Sequence, residues 1–572
     1  MKAINGFFLV LLLLFQPFLT YAECPCAKNK PKHGGDLVLS TITDPKSFNP
    51  IVSKEANVGA VMGLVFEGLT RTNGVTTEVE PNLALNWEVD ETGKVWTFKL
   101  REDVSWVDGE LFTADDVVFT FNQLIYNPDI DTSARDIFTI EGKIFKVEKI
   151  DKFTVRFTLP VKFAPFLRSM GHEIMPKHLL EDVVKQGKFN SHWGLDAKLE
   201  TIVGTGPYML SKYLPSERII LIRNPNYWRK DKQKKRLPYI EKITYLIVQN
   251  QDVALLKFQQ AEIDYYGLRG PDYPILKPQE KEGNFTVYNT GLGFSTNFLV
   301  FNQNPGKNPK TKQPYLAPDK LKWFSDVKFR RAVAHAIDKE SIVNIVMNGL
   351  GAPQYSAMSP SSGFFHNPNV EKYDYSLAKA KELLKEIGIV DRDDDGKVED
   401  SKGNKIQFNL FTNAENTQRI TIANIIKKDL EQLGFIINFV PLSFNQLASK
   451  FDSTYDWDAI ILGFTGGIEP HFGSNVWQSS GHLHAWYPKQ KKPATKWEAE
   501  IDDIFNQGVQ ELDREKRKVF YDRWQEIVAE ELPLIYTVLP SSIFAVRNKF
   551  GNLNPTPYGG AFHNLEEIYI KK

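Results

Sequence analysis

The order of the hydrophobic periodicities along the chain constrains its fold more than any other feature. Strand patterns come first. GDLVLSTITDP (35–45) is rich in β-branched residues, and VWTFKLREDVSW (95–106) and FKVEKIDKFTVRFTL (145–159) alternate apolar and polar residues as half-buried antiparallel strands do. Between these two, TADDVVFTFNQLI (113–125) predicts a helix capped by Thr113. YMLSKYLPSERIILIRN (208–224) and YIEKITYLIV (239–248) continue the strand pattern, and DVALLKFQQAEID (252–264) is a helix candidate. Helical spacing then takes over. SDVKFRRAVAHAIDKESIVNIVMNG (325–349) reads as two helices, the second from near Asp338 to Gly349. SLAKAKELLKEIG (376–388) and RITIANIIKKDLEQLG (419–434) are amphipathic helices ended by glycine. Strand-like FIINFVPL (435–442) and WDAIILGF (457–464) follow. EIDDIFNQGVQELDREKRKVFYDRWQEIVAEE (500–531) reads as one helix interrupted at Gly508, and LPLIYTVL (532–539) returns to strand. Such an order predicts an α/β body that the chain crosses more than once.

Length and charge narrow the function classes. A chain of 572 residues holds two to four domain-sized units or one large interleaved body. Lys+Arg and Asp+Glu balance at 70 each, so no global field draws it to nucleic acid or anionic lipid. MKAINGFFLVLLLLFQPFLTYA (1–22) combines an early lysine, a short apolar run and small residues before Glu23, the pattern of a cleavable secretory signal. Both cysteines, Cys24 and Cys26, sit just beyond it in ECPC, so no disulfide ties the body together. Lipidation at either cysteine is the alternative to a free exported protein, although Glu23 and Pro25 are not the small residues that lipoprotein processing prefers.

Chemistry-bearing motifs are few. There is no G-x-S-x-G elbow, H-E-x-x-H helix or phosphate loop, and VGTGPY (203–208) is a turn. Asp391, Asp393, Asp395 and Gly396 fit the first half of a calcium loop, but Lys402 occupies the twelfth position, so an acidic turn is the plainer reading. His471, His482 and His484 cluster beside aromatics in EPHFGSNVWQSSGHLHAW (469–486), where metal ligation competes with ordinary hydrogen bonding. No nucleophile is paired with a base, so a binding protein is expected rather than an enzyme, with no cofactor.

Three blocks carry a resemblance. PNLALNWEVDETGKVWTFKLREDVSWVDGELFTADDVVFTF (81–121), IVGTGPYMLSKYLPSERIILIRNPNYW (202–228) and FSDVKFRRAVAHAIDKESIVNIVMNGLGAP (324–353) resemble, in order, segments of the family 5 extracellular solute-binding proteins, the oligopeptide- and dipeptide-binding components of ABC importers. The resemblance implies a two-lobed α/β periplasmic binding protein of class II, cluster C type. It has a discontinuous lobe I (36–62, 200–296 and 537–572) carrying an extra subdomain (63–199), and a lobe II (297–536), after a signal peptide (1–22) and a flexible leader (23–35). Hinge strands are expected at TNFLVFN (296–302) and LIYTVLP (534–540). It further implies a monomer in the periplasm that delivers a peptide ligand to permease subunits in the inner membrane.

The resemblance also implies a ligand wall, made by STITDPKSF (40–48), which includes Thr41 and Thr43, and by GFTGGIEPHF (463–472). Expected ligand contacts are Thr41, Thr43, Asn302, Phe464, Thr465, Gly466, Gly467, Glu469, Trp477 and Trp486. Peptide-binding relatives carry an aspartate for the ligand ammonium in this loop, where the present chain has Gly467. Either Glu469 replaces it or the glycines let the backbone approach a bulkier or blocked ligand. Oligosaccharide or a nickel or haem complex is the alternative cargo, with Phe464, Phe472, Trp477 and Trp486 as stacking surfaces; an exported hydrolase is the remote one.

Overall fold

The computed structural model describes residues 31–571, so the signal segment, Cys24 and Cys26 lie outside the described residues. The protein is a two-lobed α/β structure whose sheets are assembled from distant parts of the chain. The first strand, Asp36–Thr41, pairs in parallel with Lys242–Ile247, which continues antiparallel to Arg218–Arg223 and then Tyr208–Leu214. The segment between the first strand and the rest of this sheet builds a sheet of its own, in the order Ala84–Val89, Val95–Leu100, Thr154–Thr158, Lys146–Asp151. Its alternating patterns place Phe98 and Phe157 inward, where Phe157 meets Phe98, Phe121 and Phe166 edge to face. Helix Ala114–Phe119 starts at Thr113, whose N–H donates to the Asp116 carboxylate at 2.9 Å.

A second sheet places the C-terminal strand Val538–Arg547 between Tyr265–Gly267 and Phe285–Leu292. A third belongs to the other lobe. Its order is Ile436–Leu442, Gln407–Asn413, Ala459–Leu462, Phe298–Phe301, Ile535–Tyr536; the first three strands are parallel and the last two antiparallel to their neighbours. Two crossings join these sheets, one after Leu292 and one after Tyr536, and they run side by side. Thr537 N–H donates to Asn297 O and Gly293 N–H to Pro540 O, both at 2.9 Å. The second crossing falls in the expected hinge segment 534–540, whereas the first, at 293–297, only touches the start of the expected 296–302, because Phe298–Phe301 is already a strand of the other lobe.

Phe298–Phe301 is buried on both faces because helices cover the third sheet. Phe301, Phe324, Phe329, Phe408 and Phe435 form its aromatic centre. The long charged segment expected as one interrupted helix is two, Lys496–Gly508 and Arg514–Glu531, folded back on each other. A Cβ on Gly508 would lie 3.1 Å from the Tyr521 ring, so the glycine permits the close approach, and Asp513 caps the second helix. The turn between them reaches the other lobe, where Ala164 N–H donates to Val509 O at 2.7 Å.

Candidate functional site

Strand Ala459–Leu462 is wholly buried and runs parallel to Gln407–Asn413, so the loops that leave their carboxyl ends emerge on one side. That is where open parallel sheets place ligands. A cleft of about 800 Å³ opens there. Ser53–Ala56 and Ser133 wall one side; residues 294–296, 357–359 and the 463–477 loop wall the other. A comparable groove of about 850 Å³ runs along 308–315 and 442–456, within one lobe only.

Two glycines are obligatory in this loop. A Cβ on Gly463 would sit 2.2 Å from Thr296 O, and Gly466, at φ +63°, would place one 2.2 Å from Phe294 O. Phe464 O accepts from Thr296 N–H, and Gly467 O accepts from the Ser362 hydroxyl. The N–H groups of Thr465, Gly466 and Gly467 have no partner among the described residues. They offer main-chain donors to a bound molecule.

The structure brings Phe464, Thr465, Gly466, Gly467, Glu469 and Trp477 together in the cleft, with Phe472 beside them. Glu469, however, is no free anchor. Arg517 grips it with two hydrogen bonds, Nη1 to Oε2 at 3.0 Å and Nη2 to Oε1 at 2.5 Å, and both side chains are buried. Burial works against the Arg517 cation, but the Glu469 carboxylate holds its pKa above the ordinary guanidinium range. Of the two alternatives for the missing aspartate, replacement by Glu469 does not fit this pairing, because its charge is already spent within the fold.

Four expected contacts lie elsewhere. The Thr41 hydroxyl donates to Thr43 O, the Thr43 hydroxyl accepts from Asn57, and neither lines the cleft. Asn302 is 1% exposed, and its amide donates to Tyr455 O and Trp457 O. Trp486 is 1% exposed and donates to Glu498 beneath the loop. Burial opposes ionisation of Glu498, yet donors from His484, Gln490 and Trp486 bring its pKa down to about 2.

The histidines also diverge. His471 points to Ile137 O at 3.0 Å across the lobes, and burial lowers its pKa to about 4. His482 meets Asp136 at 2.9 Å, while His484 contacts Val476 O and Glu498. They do not converge on a metal. Asp391, Asp393 and Asp395 do approach within 4.8 Å of one another, all exposed, but Asp395 is engaged by Lys405 and Asp391 by the Gly396 N–H.

Arg419 is the residue that sequence reasoning missed. It lies in the first turn of helix Thr417–Glu431, capped by Asn416, and lines the cleft. Nε donates to Asn297 and Nη1 to Asn413, each at 3.1 Å, and among the described residues no carboxylate pairs with it. Burial lowers its pKa to about 10, leaving it cationic at neutral pH. The available signal was a cation at a helix N-terminus, where the macrodipole disfavours one.

The family described as "Bacterial extracellular solute-binding proteins, family 5 Middle" matches residues 78–483. The chain is 29% identical over 545 residues to a probable ABC transporter-binding protein of Deinococcus radiodurans, covering 90% of this chain and 89% of that one. It superposes with a TM-score of 0.81 and 25% identity on the oligopeptide-binding protein AppA of Bacillus subtilis, solved with a nonapeptide, covering 95% and 100% of the two chains. A TM-score of 0.83 at 21% identity relates its fold to the periplasmic binding protein MelB of Agrobacterium fabrum, solved with stachyose, over 94% and 85% of the two chains. The family and these neighbours are binding proteins, and among the described residues no helix is long and apolar enough to cross a membrane. The chain therefore belongs to the family 5 bacterial extracellular solute-binding proteins.

Proposed function

We propose that this protein is the exported binding component of an ABC importer, which encloses a peptide between its lobes and presents it to permease subunits in the inner membrane. The observation that carries this reading is the cleft loop, whose unpartnered N–H groups at Thr465–Gly467 can bond a peptide main chain whatever its side chains. Oligopeptide- and dipeptide-binding relatives support the cargo class. Residues 36–62, 200–296 and 537–572 act as one lobe with 63–199 as its subdomain, and 297–536 as the other. They close about the paired crossings at 293–297 and 537–540, so that ligand burial reports to the permease. Residues 1–22 direct export and are then removed, leaving a periplasmic monomer or one tethered by lipid at Cys24 or Cys26. Mass spectrometry of molecules released by denaturing the purified protein tests the reading. A ladder of peptides is the expected result; a sugar or metal complex would sink it. Phe464, Phe472 and Trp477 in the cleft favour oligosaccharide as the second reading.

A further inference from the structure

Five charged side chains line the cleft: Lys54, Glu55, Arg419, Asp452 and Glu469. Three are neutralised by the protein itself, Lys54 by Asp131, Glu55 by Lys46 and Glu469 by Arg517. Asp452 is half-exposed on a helical turn and accepts from the neighbouring Ser453 hydroxyl. Arg419 is half-buried and has no counterion among the described residues. Its Nε and Nη1 are held by Asn297 and Asn413, which fixes the plane of the guanidinium, while Nη2 has no partner among the described residues. Gly463 leaves the approach to Nη2 open; a Cβ there would sit 2.6 Å from it.

We infer that the cargo is recognised through an anionic group seated on Arg419, while its amino end goes unread, so that amine-blocked and free-amine peptides bind alike. The inference rests on the peptide reading above. A half-buried guanidinium held only by neutral amides keeps an unmet charge, and a carboxylate arriving there gains a charge-assisted hydrogen bond. The N-terminus of the fifteen-residue helix that carries Arg419 adds to the attraction. For the opposite end of the ligand, the described residues of the cleft offer no buried carboxylate free of a protein partner. An ammonium there would gain nothing over an acetamide.

The test uses the full mature protein and random-sequence penta- and nonapeptide libraries in four forms, with amine free or acetylated and carboxyl free or amidated. Retained peptides are counted by mass spectrometry after filtration. The expected result is at least tenfold retention of acids over amides, with acetylation changing retention less than twofold. Arg419→Gln should abolish the preference for acids, and Arg419→Lys should keep part of it. Thermal melting without ligand checks that both variants fold, and the wild-type preference decides the question even if they do not. Equal retention of acids and amides, or loss of retention on acetylation, would overturn the inference and leave the peptide reading standing. Retention of no library would overturn the peptide reading and this inference with it.

Discussion

Replacing Glu469 with glutamine separates a structural carboxylate from a ligand anchor. Glu469 and Arg517 share hydrogen bonds of 3.0 and 2.5 Å, with side chains only 7% and 8% exposed. Once the carboxylate is gone, the guanidinium keeps Gly508 O at 3.0 Å and the Tyr521 hydroxyl at 3.4 Å, neither of them charged. Removing one member of a buried pair costs about 3–5 kcal/mol, because the remaining ion is desolvated and uncompensated. Glu469→Gln should therefore lower the stability of the ligand-free protein by about 3 kcal/mol, at the low end of that range since the amide still accepts one bond. Glu469→Gln with Arg517→Met should cost less than the sum of the single changes, because no stranded charge remains. Urea unfolding followed by tryptophan fluorescence reads this, with Trp524 beside Tyr521 as reporter. Unchanged stability of the ligand-free variant, combined with a tenfold or greater loss of ligand affinity, would refute the reasoning and return Glu469 to the ligand.

Acid should destabilise the protein in two windows. His471 is held neutral, at about 4 against an ordinary 6.5, so its contribution is complete above pH 6.5 and lost as pH falls toward 4, by about 3 kcal/mol; His471→Gln should flatten that part of a pH–stability curve. Glu498, held down to about 2, contributes above pH 4.5 and loses its contribution as pH falls through 2, a later acid transition that Glu498→Gln should remove. Gly466→Ala should cost more than about 2 kcal/mol, from left-handed backbone and the collision with Phe294 O, whereas Gly467→Ala, with nothing within 4 Å, should fold normally; thermal melts compare them. Trp486→Ala should cost about 3–5 kcal/mol without altering which ligands are retained, and Phe472→Ala the reverse; calorimetry with released ligand distinguishes the two.

Local pattern was enough to foresee most elements and the family, because periodicity and capping are short-range. The strands at 36–41, 95–100 and 459–462 fall within the expected segments, and helix 339–346 starts beside Asp338 as expected, though it ends short of Gly349. The 463–472 loop was singled out by the family resemblance rather than by its glycines, of which Gly463 and Gly466 are under close approach and Gly467 is not. What the periodicities could not convey is the partner of each charge. Glu469 finds its counterion 48 residues away on another helix, and Arg419 is oriented by asparagines on two different strand ends. Trp477 and Trp486 look equivalent in the sequence, yet one lines the cleft and the other lies beneath it. A side chain's charge and size belong to the sequence, but whether that charge is cancelled or left for a ligand depends on contacts between segments far apart. Only the tertiary structure decides that.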